Sequence, residues 1–489
     1  VGIAWGGRLV LGALVLLAAG VPGPAHARGA GEERYIVVYE DSVRAPGAAT
    51  QRRERAQGFR ADHRFGEVVK GFAARLSGGQ VTRLREDRAV AAVVPDRPVR
   101  ASAAVHAGET VPTGVRRIGA ATDTSVREAS GARVAVLDTG IDLDHPDLNV
   151  TDGVNCTGDP RGRPAEDTDG HGTHIAGIIG ARNNGSGVVG VAPGTEVVAV
   201  KVLGRARGGW TSDLICGINW VTATRTDDDP GNDIAVANLS LGVQARPIGT
   251  CPAAGRPLHA AICRSTAAGV THVAAAGNDA RPFDSARRPT VPAAYPEVLT
   301  VTAMSDTDGE PGRRGPGGCS GEDVRAPFSN FAATAAGRAH TIAAPGSCIR
   351  STRAGGGIAR RGGTSMAAPH VAGLVALCHD EGGAAGLCAG RPPAETVERF
   401  AGLARARAFE DGAFGFAGDP RQGDRRSMEI FTGHLVWGGA DFRAPAPTPA
   451  TPQGNGSDAQ PAGSSQGAGS GSALLSLRAL TRANARRGE

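Results

Sequence analysis

Apolar positions along this chain fall into two regimes. Between residues 34 and 99, short strand-like runs such as RYIVVYED and AVAAVV flank an amphipathic stretch over residues 80–88. That pattern predicts strands around one helix in a small α+β unit. From residue 115 the apolar runs become continuous: RVAVLDTGI, VVAVKVL, DIAVANLSLG and VTHVAAAGN, separated by the helical patterns TSDLICGINWVTAT and LHAAICRSTAAG. Continuous apolar strands alternating with helices predict an α/β domain whose central sheet is mainly parallel and covered on both faces. Such sheets bind ligands just beyond the strand C-termini. That directs attention to Asp138, Ser240 and Asn278.

Composition narrows where this chain works. Among 489 residues only 4% are aromatic and 73 are glycine, so small side chains must do much of the packing. The net charge of +5 is spread without a long basic block, which argues against a nucleic-acid partner. At the N-terminus Arg8 precedes LVLGALVLLAAG and AHA at 25–27, the pattern of a signal peptide cleaved after Ala27. No other segment is long and apolar enough to predict a transmembrane helix, so the mature protein is expected to be exported to the extracellular space and soluble; a monomer is expected. Eight cysteines, all beyond residue 27, fit an oxidising compartment, and no zinc-type pair spacing competes. Eight cysteines allow 105 pairings. Local spacing favours Cys251 with Cys263 and Cys378 with Cys388 as short loops. Residues 443–489, rich in Pro, Ala, Gly and Ser with a short basic end, read as a disordered tail.

The stretch RRGGTSMAAPHVAGLVAL, residues 360–377, sets Ser365 at the head of a buried-helix pattern. Thr364 and Ser365 are good N-cap residues, and on local pattern alone capping is the simpler account. A helix N-terminus also suits a nucleophile, because free N–H groups and the helix dipole stabilise negative charge beside it. That reading needs a base, an orienting acid and a second oxyanion donor elsewhere. Asp138 ends its strand in DTG, where it could equally be a turn residue. His171 and His174 share DGHGTHIAGIIGA, but HGTH lacks the glutamate and the i+4 spacing of a zinc helix. One imidazole at a helix start is well placed as a base.

Six stretches carry a family resemblance: AVLDTGIDLDHPDL, DGHGTHIAGIIGA, NNGSGVVGVAP, NLSLG, AAAGN and GGTSMAAPHVAGLVAL, in that order. Together they resemble the subtilisin family of secreted serine proteases (subtilases, peptidase S8), of the proteinase K-like kind. Residues 34–99 are similar to the inhibitor-type propeptide of these enzymes. The resemblance implies a signal peptide over 1–27, a propeptide domain over 34–99 and a processing linker over 100–114. It further implies a subtilisin-like three-layer α/β peptidase domain over 115–442.

For the chemistry, the resemblance implies a serine endopeptidase acting on proteins and peptides. Ser365 would be nucleophile, His171 general base, Asp138 the orienting acid and Asn278 the oxyanion donor, leaving His174 and His370 structural. Ser240, Leu241, Gly242, Ala275, Ala276 and Gly277 would bind substrate. None is charged, which favours an apolar or aromatic residue before the scissile bond. Val243 stands where many relatives have a second glycine. The propeptide would act as intramolecular inhibitor of a zymogen. The resemblance also implies a structural calcium held by Asp147, Asn184 and the carbonyls of Arg182, Ser186 and Val188, an all-oxygen set suited to a hard cation. No organic cofactor is expected. At a second calcium position Thr341 replaces the ligand aspartate, while Pro296 and Val298 offer carbonyls. The same resemblance pairs Cys156 with Cys216 and Cys319 with Cys348. An α/β-hydrolase would need a G-x-S-x-G elbow and the order Ser, Asp, His, opposite to this chain. A catalytically silent subtilase-fold binding or adhesion protein is the alternative from another class.

Overall fold

The computed structural model describes residues 33–439 apart from residues 68, 97–102, 159–164, 246–248, 254, 313 and 423–428. The signal-peptide assignment, the first part of the 100–114 segment and the 443–489 tail lie outside the described residues.

The N-terminal unit is a four-stranded antiparallel sheet in the order Ala61–Phe65, Gly71–Leu76, Glu33–Tyr39, Val90–Pro95. Tyr35, Val37, Tyr39, Phe72, Leu76 and Leu84 form its own core. Of its two helices, Gly78–Arg85 follows the predicted amphipathic stretch and opens on a capping box between Ser77 and Gln80. The other, Pro46–Gln57, departs from the one-helix expectation. It is polar around nearly its whole circumference and buries only Ala49 and Thr50, so it carries no apolar stripe to read.

The main body is built on an eight-stranded sheet. Its principal order is Val324–Arg325, Leu299–Ser305, Thr271–Ala275, Ile234–Leu239, Arg133–Asp138, Glu196–Lys201, Asn149–Asn155, with Thr341–Pro345 pairing beside Leu299–Ser305. Every pairing is parallel except that of Val324–Arg325. Alternate side chains serve opposite layers. Val134 and Val136 join the core around the helices His171–Gly180 and Thr364–His379. Ala135 and Leu137 join the core under Thr211–Ala223 and Pro257–Ala267. This is the three-layer α/β architecture that the apolar runs predict.

The Thr364–His379 helix is apolar all round because it is covered all round. It packs on the 234–239, 271–275, 299–305 and 341–345 strands and against the His171–Gly180 helix. Alanine and glycine on its surface permit that close approach. Four disulfides, Cys156–Cys216, Cys251–Cys263, Cys319–Cys348 and Cys378–Cys388, tie loops to this frame with Cα separations of 5.1–5.9 Å. From Ala103 onward the chain is knitted to the body: Ala103–Ala104 pairs with Ser125–Val126, and Glu109–Thr110 pairs with Gly187–Val188. Among the described residues no helix is long and apolar enough to cross a membrane.

Candidate active site

Asp138 ends a central strand and is fully buried. Its Oδ1 accepts the Thr139 N–H at 2.8 Å and lies 2.7 Å from Nδ1 of His171. His171 opens its helix, whose N-cap is Gly170. Gly172 lets that helix seat against the strand end, since a Cβ there would lie 2.0 Å from the carbonyl oxygen of Gly140. One carboxylate organises this corner. Asp167 Oδ1 accepts the N–H groups of Asp169 and Gly170 at 3.0 and 2.8 Å and the Thr139 hydroxyl at 2.8 Å. Its Oδ2 accepts the N–H and hydroxyl of Thr173 at 2.9 and 2.6 Å. Nothing in the sequence pattern singled out Asp167.

Burial pulls the His171 pKa down, but the charge and hydrogen bond of Asp138 outweigh it, and the net shift is upward against opposing effects of Arg207 and Arg361. His174 and His370 behave differently. Burial pushes His174 down to about 3 and His370 down to about 4, so both stay neutral near physiological pH. His174 Nε2 lies 3.2 Å from the Ile349 carbonyl, and His370 Nδ1 lies 2.8 Å from that of Met366.

Ser365 is not the cap of its helix. The N-cap is Gly363, with φ of +148° and no side-chain cap of its own, and Ser365 stands inside the first turn. The cap comes from a distant strand end. Asn278 Oδ1 accepts the N–H and hydroxyl of Thr364 at 2.8 and 3.0 Å. With Oδ1 so committed, the Nδ2 donors face Gly363, where an added Cβ would stand 3.3 Å from Nδ2. Thr364 Oγ1 also accepts the Gly277 N–H at 3.0 Å, locking the two segments together.

Pro369 adds a second constraint. A proline at this position cannot donate to the carbonyl four residues back, which leaves the Ser365 C=O without its helical partner. The Ser240 hydroxyl donates to that carbonyl at 2.8 Å, itself held by Asn238 Nδ2 at 2.9 Å. In return the Ser365 hydroxyl donates to the Ser240 carbonyl at 3.1 Å. No hydrogen bond joins Ser365 to His171 in this structure, a gap common in enzymes without bound substrate. Leu241 and Gly242 follow Ser240, while Ala275 ends the neighbouring strand and Ala276 and Gly277 follow it. The Thr290 methyl lies 3.1 Å from a Cβ built on Gly242 and 3.5 Å from one built on Gly277, so it stands beside both segments. Asn330 braces the second segment by donating to the Ala276 carbonyl and accepting the N–H groups of Asp279 and Arg281.

A second constellation gathers at the 182–188 loop. Asp147 is buried, and burial pushes its carboxyl up to about 7, with Glu109 adding in the same direction. Asn184 Nδ2 and the Val188 N–H each donate to it at 3.3 Å. Glu109, which the sequence reading missed, accepts the N–H groups of Asn184, Gly185 and Ser186 through Oε1, while its Oε2 is buried without a partner. The short pairing of Glu109–Thr110 with Gly187–Val188 brings it there. Two carboxylates, one of them with an orphaned oxygen, and a side-chain amide fit a hard cation. At the second position His340 Nδ1 donates to the Val298 carbonyl at 2.8 Å, and the Thr341 hydroxyl donates to the Gly337 carbonyl. The Val298 carbonyl and the Thr341 hydroxyl are thus both engaged in internal hydrogen bonds.

The subtilase family profile (peptidase S8) matches residues 129–383, and that of the peptidase inhibitor I9 family matches residues 34–102. Subtilisin E of Bacillus subtilis (strain 168) is 34% identical over 350 residues, 71% of this chain and 80% of that protein. Subtilisin Savinase of Lederbergia lenta is 38% identical over 271 residues, 55% of this chain and 84% of that protein. A solved structure of a cold adapted subtilisin-like serine proteinase aligns at 27% identity over 67% of this chain and 98% of that chain, with a TM-score of 0.47. The chain belongs to the subtilase family. It is a serine endopeptidase of the subtilisin kind, preceded by an I9-type propeptide domain.

Proposed function

We propose that this endopeptidase works through Ser365, His171 and Asp138, with Asn278 as oxyanion donor. The observation that carries the reading is the 2.7 Å contact of His171 Nδ1 with Asp138. It fixes the tautomer in which Nε2 is the basic atom. Ser365 Oγ attacks the peptide carbonyl as Nε2 takes its proton. Negative charge on the carbonyl oxygen meets Asn278 Nδ2 and the Ser365 N–H, a first-turn donor with no helical acceptor. His171 then protonates the leaving amine, and water hydrolyses the acyl-enzyme by the same steps in reverse. The uncharged segments 240–242 and 275–277 suit an apolar residue before the scissile bond.

The I9-type domain supports a zymogen that cleaves itself between residues 99 and 113 and is exported for extracellular work. Ser365→Ala tests both halves of this reading. The variant precursor should remain full length in a protease-free host and lose about 10⁶-fold in turnover, the scale established for subtilisin. Normal maturation of that variant would contradict self-processing.

Calcium fits the 182–188 loop, held by Asp147, Glu109, Asn184 and the carbonyls of Arg182, Ser186 and Val188. It would stabilise the fold by binding only the native state. A chelator, or Asp147→Ala, should shorten the thermal inactivation half-life while leaving the initial rate of fresh enzyme nearly unchanged. An unaltered half-life would contradict the assignment.

A further inference from the structure

The hairpin that feeds into the Ser365 helix pairs Ile349–Thr352 with Ile358–Arg361. Its sequence, IRSTRAGGGIARR, holds four arginines and no acid. Arg350 and Arg360 face each other directly across the two strands, an arrangement that like charges disfavour. None of the four guanidinium groups pairs with a carboxylate among the described residues. The one acid that touches the hairpin, Asp142, accepts the Gly355 N–H at its tip.

Arg361 is the member closest to the chemistry. Its Nε is buried without a hydrogen-bond partner, and one Nη stands 3.2 Å from where a Cβ on Gly170 would lie, next to His171. Arg207, the other cation that acts on His171, is already neutralised by Asp169 at 3.1 Å. Arg361 therefore presents a partly desolvated, unneutralised fork beside the residue that hands a proton to the leaving amine. Residues after the scissile bond must pass this side, since 240–242 and 275–277 occupy the acyl side.

We propose that Arg361 forms an anion-recognising subsite on the leaving-group side, so that the enzyme favours peptides with Asp or Glu within two residues after the cleaved bond. This rests on the roles given above to Ser365 and His171. A guanidinium fork is matched to a carboxylate by geometry as well as charge, and Arg350 and Arg360 add to the local positive field.

The test is a set of quenched peptides with one acyl side and Glu, Ala or Lys in the two positions after the bond, cleaved by mature enzyme. The expected kcat/KM ratio of Glu to Lys peptides is about tenfold, as for a charge-assisted contact at a partly buried site. It should fall toward unity between about 0.02 M and about 1 M salt, because the pair is partly exposed. Arg361→Gln should flatten the ratio and Arg361→Glu should invert it. A wild-type ratio at or below one, or a ratio that Arg361→Gln leaves unchanged, would overturn the subsite. Should neither variant mature, a wild-type ratio insensitive to salt would do the same. Failure of mature wild-type enzyme to cut even the Ala peptide would count against the Ser365–His171 reading instead.

Discussion

The two helix starts that carry the proposed base and nucleophile, His171 and Ser365, are built in opposite ways. The His171 helix is organised locally, because Asp167 satisfies donors at residues 169, 170 and 173, none more than six positions away. The Ser365 helix has no cap in its own segment. Its first N–H is taken by Asn278 across 86 positions, and the carbonyl freed by Pro369 is taken by Ser240 across 125. One start is capped by a turn of its own and rests on a single strand end; the other is assembled from the ends of two neighbouring strands.

Removing the contact that orients the imidazole at the first start gives the larger effect. Asp138→Asn should lower kcat/KM by about 10⁴-fold, because the imidazole loses the acceptor that fixes its tautomer. The pH profile checks the cause. A neutral His171 is needed for it to act as base, and its pKa is raised, so wild-type activity should fall as pH drops through a value above that of an ordinary histidine. Without the Asp138 carboxylate, burial, Arg207 and Arg361 act unopposed, and the acid limb of residual activity should move to lower pH. An acid limb that stays in place would separate Asp138 from the titration of His171.

What the sequence made legible follows the same division. Asp138, Ser240 and Asn278 could be singled out because continuous apolar runs end at or just before them, and parallel sheets place such ends around a crevice. His171 and Ser365 could be singled out because each stands at the start of a helix pattern. Local reading failed where a group's partner is remote or is a backbone donor. Ser365 looked like a cap because the residue type fits, yet the cap is an amide from another strand. Asp167 and Asn330 resembled ordinary loop residues, since their roles lie in backbone donors that a pattern of side chains does not display. Glu109 was hidden because a two-residue pairing, too short to leave a periodic signal, carries it to the 182–188 loop. The Pro46–Gln57 helix was hidden because it buries almost nothing apolar.

The central claim is that Asn278 serves two ends at once: its oxygen caps the Ser365 helix and its nitrogen is thereby left to the oxyanion. Asn278→Asp separates them, because a carboxylate keeps the acceptor for Thr364 and loses the donor. The decisive measurement is kcat, KM and melting temperature of the matured Asn278→Asp enzyme beside wild type. The predicted result is a kcat lower by about 10²–10³-fold, the scale established for the oxyanion asparagine of subtilisin, with KM little changed and stability retained. Unchanged turnover in a stable variant would contradict the account.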